Sequence, residues 1–164
     1  VANRRVKTYT QKDIFNIYSV QGGIELTIKG LDIELCDVEC KTYKYSDTAG
    51  GQTREYMITM KISHVPDHNV DPEPPVWITF VKKLEEDKDF AIPLKHKLTG
   101  SNVVLKANNK YTITVDSNHR MWGVGHNSAG CSDQPSFHLK FLSRYHGKYC
   151  SPIKRLHYKE RDTQ

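Results

Sequence analysis

Apolar and polar residues alternate along most of this chain. Apolar side chains occupy every second position in one short segment after another, and Gly, Pro and Asn residues separate the segments. A β-strand with one buried face has this period of two, whereas an amphipathic helix has a period near 3.6. The pattern predicts eight to ten strands in an antiparallel sandwich or barrel, the clearest being 24–28, 31–35, 56–62, 76–80, 111–115 and 137–141.

Signals for helix are few. Thr10 to Asp13 precede the apolar residues of 14–18 in the manner of an N-cap, so a short helix is expected there. A helical turn is also expected within 153–158. No internal repeat or linker divides the chain, which predicts a single domain over 1–164. The predicted fold class is all-β, a two-sheet β-sandwich with one or two short helices.

Glycines mark the predicted breaks between strands. Gly22–Gly23 and Gly50–Gly51 are expected in turns, and Gly30 is expected in a bulge between two strand segments. The proline-rich segment 64–75 is expected to be an exposed, extended loop, because proline cannot donate to a strand ladder.

The overall charge is positive but unevenly distributed. The chain has 164 residues and a net charge of +5, and residues 1–30, 31–89 and 90–164 carry formal charges of +3, −6 and +8. No apolar run reaches the roughly 18–20 residues needed to cross a bilayer, so no membrane span is expected. Val1 follows no charged and apolar leader, as expected of a mature chain or of a piece of a longer one.

The cysteine count is even, which favours two disulfides and a secreted protein. Cys36 and Cys40 are four residues apart on a predicted strand, about 13 Å, whereas the Cα atoms of bonded cysteines lie within about 7 Å. Each would therefore pair with Cys131 or Cys150, and both arrangements stay open. A zinc site is the less favoured alternative, because this spacing is poor for four ligands.

Recognisable catalytic motifs are missing from the sequence. The chain has no G-x-S-x-G elbow, H-E-x-x-H pair, phosphate loop or G-x-G-x-x-G turn. His126, Ser128 and Asp133 superficially suggest a hydrolase, but a glycine-rich turn leading into a disulfide explains the same residues. A proline between His64 and His68 prevents the helix that would make them a metal pair. We therefore predict a protein that is not an enzyme and that holds no metal or cofactor.

Basic residues crowd both ends of the chain. They suggest a surface for sulfated glycosaminoglycans, with solvated polar tails as the alternative interpretation. Nucleic acid is a less expected partner, because secreted proteins with disulfides seldom meet it. The candidates at the C-terminal end are Lys154, Arg155, Lys159 and Arg161.

Carboxylates recur every two or three residues through the segment LDIELCDVEC. They belong to Asp32, Glu34, Asp37 and Glu39. In strand geometry the first two point away from the face of the neighbouring apolar residues. A sheet face lined with carboxylates costs stability unless a basic partner or a nearby lysine relieves the repulsion. The segment indicates either a docking surface for a basic partner or ordinary outward-facing polarity.

With these features in view, the chain resembles a family of secreted poxvirus immunomodulators. The resemblance rests on residues 7–40, on PPVWITFVKKL at 74–84 and on the region around Cys131 and Cys150, and it runs over essentially the whole chain. It is to the SECRET domain, the chemokine-binding C-terminal module of the viral TNF-receptor homologues called cytokine response modifiers B and D. The resemblance implies a secreted, disulfide-stapled β-sandwich without catalysis, preceded in the parent by a receptor-like region.

The resemblance also implies a function, the capture of host chemokines on the exposed face of one sheet. Because chemokines are small basic proteins, the four carboxylates named above are the expected charge partners. Asp71 and Glu73 are expected at the loop edge of this site. Tyr56 and Trp77 are candidate aromatic anchors, with core packing as the alternative for both. The family's larger chemokine binders carry a long acidic loop, whereas the loops here are short.

Overall fold

Extended strands account for all the regular structure in the described residues, which are 5–11, 13–45, 51–126 and 130–162 of a computed structural model. Thirteen strands fall within them. They are β1 (Lys7–Thr10), β2 (Asp13–Ile28), β3 (Asp32–Lys41), β4 (Thr53–Val65), β5 (Val76–Glu85), β6 (Asp89–Pro93), β7 (Val104–Leu105), β8 (Lys110–His126), β9 (Cys131–Asp133), β10 (Phe137–Phe141), β11 (Ser143–Tyr145), β12 (Lys148–Ser151) and β13 (Arg155–Arg161).

The strands form two antiparallel sheets. The five-stranded sheet has the order β1-β13-β3-β6, and β7 also pairs with β3. In the eight-stranded sheet the long strand β8 is central. It pairs with β2 along one side, and on its other side with β4 in its first half and β12 in its second. Strand β5 extends this sheet beyond β4, while β10 and β9 extend it beyond β2.

The two sheets pack face to face around one apolar core. Ile33 and Leu35 of the five-stranded sheet and Leu26 and Ile113 of the eight-stranded sheet belong to one buried cluster. The ring of Phe137 makes edge contacts with Tyr9 and Tyr158 at 5.9 and 5.3 Å, which joins the sheets at one end. The predicted β-sandwich is confirmed.

The predicted helices are wrong. Residues 14–18 lie in β2 and most of 153–158 lies in β13, and the part of the chain that the structure describes contains no helix at all. The ladder between β2 and β8 runs from Asp13↔Gly125 to Thr27↔Lys110. These long-range hydrogen bonds outweigh the local capping signal. Consequently, no helix long and apolar enough to cross a membrane occurs in those residues.

The glycine predictions are only partly correct. Gly30 lies in the bend between β2 and β3, close to its expected place, whereas Gly22 and Gly23 lie inside β2. A Cβ on Gly22 would lie 2.6 Å from Cδ of Pro152. The close approach of the neighbouring chain therefore explains why this position is a glycine, rather than a turn. Gly50 lies outside the described residues, and Gly51 precedes β4.

The predicted disulfides are not present, and all four cysteines are free thiols. Cys36 and Cys40 lie on β3, but Cys131 and Cys150 lie on β9 and β12 of the other sheet. Cys40 points into the core, whereas Cys36 is half-buried outside it and Cys131 is exposed. The disulfide prediction started from the even number of cysteines, because the sequence does not reveal on which face of which sheet each side chain lies.

Candidate functional site

The acidic strand and the basic strand of the sequence are neighbours in the five-stranded sheet. Strand β3 pairs with β13 so that each of the four predicted carboxylates lies directly across from a basic residue. The cross-strand pairs are Asp32↔Arg161, Glu34↔Lys159, Asp37↔His157 and Glu39↔Arg155. Opposite charges in such positions stabilise a sheet by roughly 0.2–1 kcal/mol each. The two predicted binding sites therefore meet as a single charge-paired face, here called the β3–β13 ladder.

A β-bulge creates this alignment. Leu35 pairs with Tyr158 and Asp37 with His157, so Cys36 has no partner on β13. The extra residue shifts the alternation by one position. Residues Ile33 and Leu35 face the core before the bulge, and Val38 and Cys40 face it afterwards. Asp37 and Glu39 therefore share the outer face with Glu34, whereas strict alternation would turn them inward.

Side-chain contacts along the ladder form a network around Asp89 of β6. The ammonium group of Lys154 lies 2.9 Å from both carboxylate oxygens of Asp89. Arg155 Nη1 lies 3.4 Å from Asp89 Oδ2 and 3.5 Å from Glu39 Oε1. The imidazole of His157 contacts Glu39 and lies 3.7 Å from Asp37 Oδ1. Two of the four predicted glycosaminoglycan-binding cations are thus occupied by carboxylates of the same chain.

The electrostatics of Asp89 reflect this network. Partial burial disfavours its charged form, but the hydrogen bonds and charges of Lys154 and Arg155 outweigh burial and lower the pKa of the Asp89 carboxyl. Lys154 itself is buried, so its charge depends on Asp89 for compensation. This pair supports the fold and is not available for an anionic partner.

The first half of the acidic segment is also satisfied internally. Asp32 is only 7% exposed, and its Oδ1 accepts a hydrogen bond from the backbone of Ala107 at 2.8 Å. Glu34 accepts a hydrogen bond from Asn102 at 2.9 Å and lies 3.8 Å from the guanidinium of Arg161. The segment is therefore not the open acidic surface that its composition suggests.

The two candidate aromatic anchors have opposite environments. Tyr56 points into the core and is 1% exposed. Burial raises its pKa to about 12, with Tyr45 contributing. The core-packing alternative therefore holds for Tyr56. Trp77, in contrast, is 55% exposed on the outer side of β5.

Trp77 belongs to an apolar surface on the outside of the eight-stranded sheet. Met57 of β4 lies across from Val81 of β5, and the two side chains are 54% and 55% exposed. Lys61 lies across from Trp77, and its ammonium group is 5.0 Å from the centre of the indole. We call the outward side chains of these two strands the hairpin face, which comprises Met57, Thr59, Lys61, Trp77, Thr79 and Val81.

The loop that closes this hairpin is acidic. Residues 66–75 join β4 to β5 and contain three carboxylates but no lysine or arginine. Asp67 and Asp71 are exposed. Asp71 and Glu73, the predicted loop residues, therefore lie in the segment leading into the strand that carries Trp77, whereas the sheet carboxylates of the same prediction lie in the other sheet.

Glu73 fixes the end of this loop. Its carboxylate accepts a hydrogen bond from the Tyr111 hydroxyl at 2.6 Å, and its backbone N–H donates to Nδ1 of the buried His64 at 3.3 Å. Burial, followed by the hydrogen bond to Glu73, raises the pKa of Tyr111. His64 also contacts Oδ1 of Asn109 through Nε2 at 3.1 Å. His64 thus anchors the loop, and it does not pair with His68 as a metal ligand.

The other chemical candidates do not assemble in the described residues. No group of three or more His, Cys, Asp or Glu side chains there has the arrangement of a metal site. Ser128 of the hydrolase alternative lies outside the described residues. Asp133 is exposed and pairs with Lys29 at 2.9 Å. The hydrogen bond and the charge of Lys29 lower the pKa of Asp133.

Sequence reasoning missed Met57, Val81 and Asp116, a carboxylate on the outer side of β8 next to the hairpin face. A signal was present for the first two. Strict alternation fails at Tyr56-Met57-Ile58 and again at Phe80-Val81, where apolar residues are consecutive. Such a run on a strand places apolar side chains on both faces, and one of them must face outward.

Comparisons with known proteins identify no family for this chain. No protein-family model and no curated protein matches it. A similar solved structure is a chain of the T13 IBDV viral particle, with 12% sequence identity and a TM-score of 0.38. The match covers 97% of this chain but only 36% of the viral chain.

Proposed function

We propose that this chain is a non-enzymatic, secreted decoy module that binds a small basic signalling protein of the chemokine class and blocks its receptor contacts. The partner class and the secretion are those implied by the sequence resemblance. The docking surface proposed here is the hairpin face with its acidic loop, instead of the β3–β13 ladder.

The observation that carries the proposal is the concentration of exposed apolar side chains on one hairpin. Among the described residues nine large hydrophobic side chains are exposed, and five of them lie between residues 57 and 81. They are Met57, Val65, Val70, Trp77 and Val81. Exposed apolar side chains grouped in one part of a surface are typical of protein–protein contact sites. An exposed tryptophan beside them fits the role of an interface anchor.

The acidic loop supports a basic partner. Asp67 and Asp71 extend into solvent at the end of the hairpin, and the hydrogen bonds of Glu73 hold the loop in place. Carboxylates at the rim of an interface increase the association rate of a cationic partner and select against anionic ones. The apolar centre and the charged rim thus have separate roles, affinity and selection.

The test is titration of the intact chain with a basic chemokine, measured by calorimetry. Trp77→Ala removes the proposed anchor, and we expect a loss of affinity of at least about thirtyfold, the range of interface hot spots. Leu98→Ala is the matched control, because Leu98 is 97% exposed but lies in the loop between β6 and β7 of the other sheet. It should leave affinity unchanged.

The same titration distinguishes the two possible docking surfaces. Asp67→Lys combined with Asp71→Lys should weaken binding and reduce the dependence of the affinity on salt. Glu34→Gln, on the β3–β13 ladder, should change binding little. Normal binding by Trp77→Ala together with lost binding by a correctly folded Glu34→Gln would refute the hairpin face as the docking surface.

Ion pairs within the chain argue against glycosaminoglycan binding through the C-terminal cations. Lys154 and Arg155 are paired with Asp89, and Arg161 lies beside Glu34. Lys159 lies across from Glu34. The cations predicted to form this site therefore face carboxylates of the same sheet, and a polyanion would have to displace those contacts.

A further inference from the structure

A groove crosses the outer face of the eight-stranded sheet beside Trp77. It has a volume of about 430 Å³ and runs over strands β2, β8 and β4. Trp77 forms one wall and the exposed side chain of Leu142 contributes to the other. The remaining lining includes Gly23, Thr59 and Asp116.

The groove exists because Gly23 has no side chain. A Cβ at this position would lie 3.1 Å from Cγ2 of Thr114 and 3.4 Å from Cδ1 of Leu142, so it would occupy the floor between them. The backbone of Gly23 also fixes the second wall. Its carbonyl accepts a hydrogen bond from the Leu142 N–H at 3.0 Å, and its N–H donates to Ser143 Oγ at 3.2 Å.

Asp116 places an uncompensated negative charge in this groove. Its cross-strand neighbours are Gln21 on β2 and Thr59 on β4, neither of which is cationic. The nearest lysine of the lining, Lys61, lies across from Thr114 and directs its ammonium group to the indole of Trp77. Within the described residues the Asp116 carboxylate makes no hydrogen bond or ion pair, in contrast to the carboxylates of the β3–β13 ladder.

We infer that this groove binds an arginine side chain of the basic partner. The inference rests on the proposed function, whose docking surface it refines. The aliphatic part of the arginine lies between Trp77 and Leu142, and its guanidinium group donates two parallel hydrogen bonds to the carboxylate of Asp116. Arginine fits better than lysine, because its planar group matches a carboxylate in a bidentate manner and is less strongly hydrated.

The groove can be tested with a small probe in place of a protein partner. Nα-acetyl-arginine amide is titrated into the intact chain and followed through the indole N–H resonance of Trp77 and the amide resonance of Gly23. A probe of this size should bind with a Kd on the order of 1 mM. The corresponding lysine amide should bind several-fold more weakly, and the neutral citrulline amide should not bind detectably.

Asp116→Asn is the decisive variant, because the side chain is exposed and the substitution leaves the fold unstrained. It should weaken arginine amide binding about tenfold, the effect of losing a charge-assisted hydrogen-bonded pair. Asp71→Asn is the matched control, an exposed carboxylate on the acidic loop, and should leave probe binding unchanged. Equal binding by wild type and Asp116→Asn, equal binding of the arginine and citrulline amides, or no binding of the arginine amide would each overturn the inference.

The experiment separates this inference from the proposed function. Chemokine binding that persists without any binding of the arginine amide would overturn the groove and leave the docking surface intact. Binding of the arginine amide at Asp116 without any chemokine binding would establish the groove and overturn the proposed function.

Discussion

At the scale of single residues, the four cysteines occupy very different environments. Cys40 is completely buried, and burial raises the pKa of its thiol to about 12. Burial also raises the pKa values of Cys150 and, together with nearby carboxylates, of Cys36. Cys131 is exposed on β9. Because the thiolate is the reactive form, three of the four thiols are protected in the folded protein.

We expect one fast and three slow thiols in a labelling experiment at neutral pH. Cys131 should react with an excess of a disulfide reagent within seconds to minutes, and Cys40 and Cys150 only after denaturant is added. Quantification by mass spectrometry under non-reducing conditions identifies the labelled residues. Failure of all four to react, even in denaturant, would instead establish the disulfides that the sequence suggested.

Gly125 allows a second prediction at this scale. A Cβ there would lie 2.0 Å from the backbone oxygen of Tyr149, which crosses it from β12. Gly125→Ala should therefore destabilise the protein by at least about 2 kcal/mol, since overpacking against backbone is not easily relaxed. Gly30→Ala is the control, because no atom lies within 4 Å of the new methyl group. Equal denaturant midpoints for the two variants would contradict the close crossing of β8 and β12.

At the scale of elements, the β3–β13 ladder depends on the pairing of Lys154 with Asp89. Lys154 is buried, but the side chain of Asp89 is 39% exposed. Loss of one partner therefore has unequal consequences. A buried ammonium group without its carboxylate costs more than a partly solvated carboxylate without its ammonium group.

We accordingly expect Asp89→Asn to destabilise the protein by about 2 kcal/mol and Lys154→Met by about 1 kcal/mol. Urea unfolding of both variants measures the difference, and Lys97→Met, an exposed lysine, should lie within about 0.5 kcal/mol of wild type. A larger loss of stability for Lys154→Met than for Asp89→Asn would contradict the conclusion that the buried ammonium group depends more on its partner than the carboxylate does.

An element could be predicted only as far as its interactions are local in the sequence. Alternation at 56–62 and 76–80 correctly predicted β4 and β5, because the face of a strand is a local property. The pairing of Glu39 with Arg155 joins residues 116 positions apart, and no local pattern encodes that register. The charged residues were therefore recognised individually, while their mutual compensation was not.

At the scale of the whole molecule, stability should depend on pH at both extremes. The pKa of Asp89 is lower in the folded protein than its usual 3.8, so its stabilising contribution is complete above about pH 4 and is lost as the pH falls further. The pKa of Tyr56 is raised from 10.0 to about 12 by burial, so stability is lost as the pH rises through that interval.

The melting temperature, measured between pH 2 and 12, should thus be nearly constant from about pH 4 to pH 10 and should fall on either side of this range. Tyr56→Phe removes the buried phenol and should reduce the alkaline decline, while Asp89→Asn should reduce the acid decline. An alkaline decline of unchanged size in Tyr56→Phe would show that other groups, Tyr111 among them, are responsible.

The sandwich itself was predictable, but its long strands were not. Residues 13–28 contain a capping signal and a glycine pair, both of which suggest interruptions, yet they form one sixteen-residue strand. Its pairing with β8 determines the conformation, and that pairing follows from the whole sheet. The hairpin face likewise depends on strand pairing, since Met57 of β4 and Val81 of β5 become neighbours only when the two strands pair.

The bulge at Cys36 makes the length of β3 as important as its chemistry. Deleting Cys36 would remove the extra residue and restore strict alternation, so that Asp37 and Glu39 stay on the outer face and Val38 stays in the core, whereas straightening the bulge at unchanged length would turn Asp37 and Glu39 inward. This strand should therefore accept many outward substitutions and the loss of Cys36, but no single-residue insertion or deletion elsewhere along its length. The orientation of the side chains on either side of the bulge, more than the identity of any one carboxylate, places the carboxylates of β3 across from the basic residues of β13.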